Sequence, residues 1–173
     1  MTWDAANSWA SSLTVGGFND WRLPLTLPVG ATLGGVFTLF SNNGTSDFGY
    51  AGTASEMGHL YYTTLGNLGA YIPNDAQPQG TVPQPGAGLG NTGPFSGLQS
   101  FQCWSATEFE ITGYAWEFDV RDGAQGFIDK RAELYALAVR PGDVTAAIPE
   151  PQTYALLLGG LATMWVVRRR RAY

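Results

Sequence analysis

Cysteine, histidine and charge are all scarce in this chain of 173 residues. A single cysteine, Cys103, excludes an internal disulfide and any metal cluster built from cysteines. A lone thiol of this kind reads first as a small buried hydrophobe. A single histidine, His59, leaves a Ser-His-Asp triad with one candidate base, and no Gly-x-Ser-x-Gly turn accompanies it. His59 therefore reads as a structural residue. Charged side chains make up 13% of the chain, about half the ~25% of an ordinary soluble domain. Up to Ile148 there are five Lys and Arg against thirteen Asp and Glu, a balance of −8. A surface of that sign repels phosphate, which excludes nucleic-acid binding.

What is present argues for one loop-rich domain with an appendage. Apolar residues reach 45%, enough for a core, and this excludes wholesale disorder. Glycine and proline together number 33, which argues against a helical bundle. Trp3, Ala6, Ala10 and Leu13 recur at helical spacing, predicting a helix from Trp3 to Leu13 with Thr2 as N-cap and Gly16-Gly17 as stop. A second helix is predicted over Ser55 to Leu65, capped by Ser55, with Met57, Leu60, Tyr61 and Leu65 on one face and Gly66 at its end. From Asn67 to Ser100 there are seven glycines, five prolines and one charge, Asp75. That is a long loop whose order the sequence leaves open.

The last third of the body reads as an antiparallel sheet. Phe101 to Ala106 is a short strand. Tyr114, Trp116, Phe118 and Val120 alternate with Ala115, Glu117, Asp119 and Arg121, which predicts one apolar face. Asp122-Gly123 signals a hairpin turn, Gln125 to Asp129 the return strand, and Leu134 to Arg140 a further strand ending at Pro141-Gly142. Two short helices plus an antiparallel sheet with long Gly/Pro-rich loops make an α+β fold.

Candidate sites follow from residue type. Glu117, Asp119 and Asp122, with Asp129 nearby, cluster on one hairpin. Paired carboxylates serve glycoside hydrolysis, and oxygen ligands suit calcium. The span Asp119 to Asp129 lacks the alternating acids of an EF-hand loop, so no metal or other cofactor is expected. The plain reading is a solvated acidic face that opposes aggregation along the sheet. Tyr61 and Tyr62, with Tyr50 and Tyr71, would stack on sugar rings if exposed, but aromatics at helical spacing more often build core. Trp21, Trp104 and Trp116 suit core corners, where each indole N–H needs a partner. Arg22 is expected to pair with an acidic residue or loop carbonyls.

The tail has its own logic. Pro149-Glu150-Pro151 precedes fourteen uncharged residues, Tyr154 to Val167, and then Arg168, Arg169, Arg170 and Arg171. As a helix that run covers about 21 Å, short of a ~30 Å hydrocarbon core, so snorkelling arginines or local thinning must supply the rest. The arginines belong on the cytoplasmic side, which puts the body outside the cytoplasm. In order and content these parts resemble the PEP-CTERM sorting signal of exopolysaccharide-producing bacteria. That resemblance implies export, a temporary inner-membrane anchor, and cleavage near Pro149 to Pro151 by an exosortase-type membrane protease. Export also needs a signal peptide, and Met1 to Asn7 has neither a basic start nor an apolar stretch. Either the chain is truncated or its start was assigned too far downstream.

The body carries a second resemblance. Trp3-Asp-Ala-Ala, Gly17-Phe-Asn-Asp-Trp-Arg-Leu-Pro24, Cys103-Trp-Ser-Ala-Thr-Glu108, Ala115-Trp-Glu-Phe118 and Ala138-Val-Arg-Pro141 are similar to the Lcl C-terminal-like family, a domain of unknown function. The resemblance implies a C-type-lectin-like fold, related to formylglycine-generating enzymes, for residues 1–145, with residues 146–173 as the sorting signal. The related enzymes rely on a cysteine pair that Cys103 alone cannot supply. The expectation is a non-enzymatic surface or matrix protein associated with exopolysaccharide. Two alternatives remain open: a polysaccharide-acting enzyme with paired carboxylates, and a permanently membrane-anchored interaction protein.

Overall fold

In the computed structural model, which describes residues 1–27 and 40–141, the fold is α+β: two short helices and a three-stranded antiparallel sheet. Helix α1 spans Trp3–Ser12. Thr2 stands at its N-cap in an extended conformation, and its carbonyl accepts the Ala6 N–H at 2.9 Å, but its side chain makes no capping bond. After the helix, Val15 and Phe18 exchange both backbone hydrogen bonds across Gly16-Gly17. Both glycines have positive φ, +63° and +81°, the demand of a tight two-residue turn that side chains resist.

The second helix does hold its cap. Ser55 Oγ accepts the Gly58 N–H at 3.0 Å at the start of α2, Glu56–Gly58. From His59 to Thr64 the helix widens to a π turn, with the Leu65 N–H reaching back to the Leu60 carbonyl at 2.9 Å. Met57, Tyr61 and Leu65 from the predicted face are buried, and Leu60 is half-buried.

Strands β1 (Gln102–Glu108), β2 (Tyr114–Asp119) and β3 (Ala124–Asp129) follow chain order, with β2 in the centre. The register sets Glu117 opposite Trp104 on β1 and Gly126 on β3. The β2–β3 turn contains the predicted Asp122-Gly123, with Gly123 at φ +83° and its N–H bonded to the Asp119 carbonyl at 2.8 Å. One expectation is corrected here. β2 was predicted to bury one face, yet every residue from Ala115 to Val120 is buried. Each side of the sheet has its own cover. Ala6 and Ala10 of α1 pack with Trp104, Ala115, Leu23 and Leu134. Met57 and Tyr61 pack with Cys103, Phe118 and Val120.

Leu134 to Arg140 is extended but forms no regular strand. Tyr135 bridges Cys103, exchanging hydrogen bonds with Gln102 and Trp104 at 3.0 Å each. The segment of Arg22 to Pro24 then comes between: Arg22 exchanges 2.9 and 2.8 Å bonds with Val139, while the Pro24 carbonyl takes the Ala106 N–H at 2.8 Å. The run thus leaves β1 after one bridge.

The glycine-rich stretch after Asn67 is ordered by side-chain amides. Asn67 Oδ1 accepts the N–H groups of Gly90 and Asn91 at 3.1 and 2.8 Å, and Asn91 Nδ2 donates to the Leu65 carbonyl at 2.8 Å. Trp104 is fully buried and donates to the Met1 carbonyl at 2.9 Å; Trp116 is buried against Phe109 and Phe127. Trp21 is half-buried and donates to the Phe18 carbonyl at 3.1 Å. Among the described residues no helix is long and apolar enough to cross a membrane. Pro149, Glu150, Pro151, the apolar run and Arg168 to Arg171 lie outside the described residues.

Candidate functional site

The acidic hairpin and the tyrosines of the second helix do meet in space, around the Asp122-Gly123 turn. Tyr62 Oη donates to the Gly123 carbonyl at 2.7 Å, Tyr50 Oη to Asp122 Oδ2 at 3.2 Å, and Tyr61 Oη to the Leu68 carbonyl at 3.2 Å. Burial pushes the Tyr61 hydroxyl up to about 12 and those of Tyr50 and Tyr62 higher still. Tyr61 and Tyr62 stand edge to face at 4.9 Å, with Phe118 beside Tyr61 at 5.5 Å. These rings hold the turn rather than offering a platform to solvent.

The carboxylates are likewise committed, and the expected solvated face is corrected: Glu117 and Asp119 are buried. The cause is the position of β2 between two strands and two covering layers. Asp119 is forked by Arg121, whose Nε lies 2.9 Å from Oδ1 and 3.0 Å from Oδ2, and Oδ1 also takes the Arg121 N–H at 2.9 Å. Asp122 Oδ1 accepts the Ala124 N–H at 3.0 Å. Glu117 differs from both. Its carboxyl is pushed up to about 8, first by burial, then by the charges of Asp119 and Asp122, while Arg121 and a hydrogen bond from Gln102 act the other way. Its Oε2 and the Gln125 Oε1 are buried with no hydrogen-bond partner among the described residues. No group of three or more His, Cys, Asp or Glu among the described residues is placed to hold a metal ion. Calcium thus gains no support from this hairpin.

Arg22, expected to find an acidic or carbonyl partner, finds both. Its guanidinium forks onto Glu56 at 2.7 and 2.8 Å and donates to the Leu23 carbonyl at 3.0 Å. Glu56 also accepts the Leu25 N–H at 2.7 Å. The Arg22 guanidinium holds the Glu56 carboxyl below the ordinary value. Cys103 is buried, as a lone thiol was expected to be, and burial pushes its thiol up to about 12.

Two open concavities among the described residues lie away from this hairpin. A cleft of about 450 Å³ runs between the second helix and the 137–139 segment, with exposed His59 at its edge and Met57, Leu60 and Phe95 in its walls. A second, about 390 Å³, is lined by 94–99, Cys103 and 135–137. Phe95 and Leu137 belong to both. Sequence reasoning missed these residues. The one local signal was an aromatic, Phe95, set in a stretch of Pro, Ser and Gly that had no helix or strand to bury it. Compared with known proteins, the chain matches no family model, no curated protein and no solved structure.

Proposed function

We propose that this chain is an exported, non-enzymatic surface or matrix protein, held briefly at the inner membrane and released by an exosortase-type protease. The observation that carries the reading is the order of Pro149-Glu150-Pro151, fourteen uncharged residues and four arginines. A helix of that length is a marginal anchor, about 21 Å against ~30 Å, which suits temporary attachment. Proline on both sides of Glu150 disfavours helix, which suits a protease that engages extended chain.

The body is read as a C-type-lectin-like module that associates with exopolysaccharide. Two helices covering opposite faces of a small sheet, with a long loop stretch laced by Asn67 and Asn91, support that reading. Its non-enzymatic character is supported by carboxylates already engaged in the fold, Asp119 with Arg121 and Asp122 with Tyr50.

The test is expression of the full chain behind a leader peptide in a host with and without an exosortase. Mass spectrometry of the extracellular fraction is expected to find chains ending between Pro149 and Pro151, and only when the protease is present. Extracellular chains that retain Arg171, or a body confined to the cytosol despite the leader, overturn the sorting proposal.

A further inference from the structure

We propose that the two clefts meeting at Phe95 and Leu137 form one binding groove for a neutral glycan chain, with sugar rings laid against Phe95 and Tyr135. The inference rests on the carbohydrate reading above and gives it a place and a charge class.

The shape comes first. Each cleft, at about 450 and 390 Å³, has the size of a small-molecule site, and Phe95 and Leu137 line both, so the two adjoin at these side chains. The rim is aromatic and open. Phe95 is 38% exposed and Tyr135 is 49% exposed, with Phe101, also 38% exposed, beside Tyr135. Exposed aromatics of this size suit the apolar C–H face of a pyranose, since a ring face is flat, polarisable and poorly hydrated.

The polar groups between the rings distinguish a glycan from an apolar peptide. Ser96, Gln99 and Tyr135 line the second cleft, and an apolar side chain laid on their polar groups would strip them of water without replacing it. A ligand covered in hydroxyls replaces those bonds. The rim is also preformed. Gln99 Nε2 donates to the Gly97 carbonyl at 3.1 Å, Phe101 meets Tyr135 edge to face at 5.6 Å, and the Arg121 guanidinium lies over Phe101 at 5.1 Å. Those contacts reduce the freedom that Gln99 and Tyr135 have left to lose on binding.

Charge sets the class. Among the described residues no Asp, Glu, Lys or Arg lines the second cleft, and the one carboxylate in the first, Glu56, is forked by Arg22. Among the described residues no Lys or Arg lines either cleft to meet a sulfate or uronate, the nearby Arg121 is paired with Asp119, and the body at −8 repels a polyanion at long range. A neutral chain avoids that repulsion.

The test uses the full chain in a sugar-free detergent, applied to an array of neutral glucose, mannose and galactose hexasaccharides beside sulfated and uronate-bearing ones. Retention is expected on a neutral hexasaccharide, unchanged between low and high salt and insensitive to a calcium chelator. Tyr135→Ala and Phe95→Ala are each expected to weaken it at least tenfold while the thermal unfolding midpoint holds. Binding confined to the anionic chains, or neutral binding that neither substitution alters, overturns the groove but leaves a carbohydrate role standing. Retention of no glycan at all overturns the groove and the carbohydrate reading together.

Discussion

Arg22 and Glu56, 34 residues apart, are joined by two parallel hydrogen bonds of 2.7 and 2.8 Å. The fork ties the loop after α1 to the first residue of α2, and the Leu25 N–H on the same carboxylate fixes where the chain turns. Both side chains are about one-third exposed, 32% and 38%, so solvent screens part of the attraction.

Breaking that fork is expected to cost about 1–3 kcal/mol, because the partner left behind has lost charged hydrogen bonds in a half-buried place. Arg22→Lys is expected to recover little, since an ammonium cannot fork. Urea unfolding of Arg22→Ala, Glu56→Ala and the double variant measures it; additive losses would show that the two residues are not coupled. The held-down carboxyl also fixes a direction with pH. Its contribution is present above the ordinary carboxylate range and is lost as pH falls through the depressed folded value.

Glu117 predicts the opposite trend. Its folded value is raised to about 8 from the usual 4.5, so its neutral form is favoured by folding. The stability it contributes is complete below the usual carboxylate value and is lost as pH rises toward 8, at up to about 1.4 kcal/mol per pH unit. Glu117→Gln, which keeps the shape and removes the proton, is expected to flatten that slope and to be the more stable protein at pH 9. Denaturation curves from pH 5 to 9 decide it: equal slopes in both proteins refute the buried neutral acid.

Gly123 is expected to tolerate no side chain. Its φ is +83°, and a Cβ there would come within 2.8 Å of a Tyr61 ring carbon and against the Tyr62 hydroxyl. Left-handed strain and overpacking each cost about 1–3 kcal/mol. Gly123→Ala is expected to lower the thermal midpoint by several degrees and change the near-ultraviolet tyrosine signal. Gly113, also at positive φ with nothing within 4 Å, is the control, and its alanine variant is expected to lose about half as much or less.

The two helix caps should separate cleanly. Ser55→Ala removes a 3.0 Å bond to Gly58 and is expected to cost about 1 kcal/mol. Thr2 makes no such bond, so Thr2→Ala is expected to stay within about 0.5 kcal/mol. Chemical denaturation of both variants side by side checks the contrast.

Local chemistry made much of this legible in the sequence. Asp122-Gly123 and the alternation from Tyr114 placed the β2–β3 hairpin, and Ser55 placed the second helix, because each signal acts over a few residues. What was not legible depends on partners far along the chain. Alternation tells which side chains of β2 share a face, but not that α1 covers one side and α2 the other. Hence Glu117 and Asp119 read as solvated and are buried. The same limit applies to Leu134 to Arg140, whose strand-like composition is overridden by Arg22 to Pro24 arriving from the other end of the body. The groove at Phe95 was hidden for the same reason, since its two walls are about 40 residues apart in sequence.

Where the described chain stops, it is clasped. Arg140 reaches Asp20 at 2.9 Å and lies 3.6 Å over the Phe18 ring, while Val139 is stitched to Arg22. A scissile bond beyond Pro141 can therefore be cut without severing any hydrogen bond among the described residues. Under the proposed sorting, proteolysis would change the protein's address while the Arg140–Asp20 and Val139–Arg22 bonds stay closed.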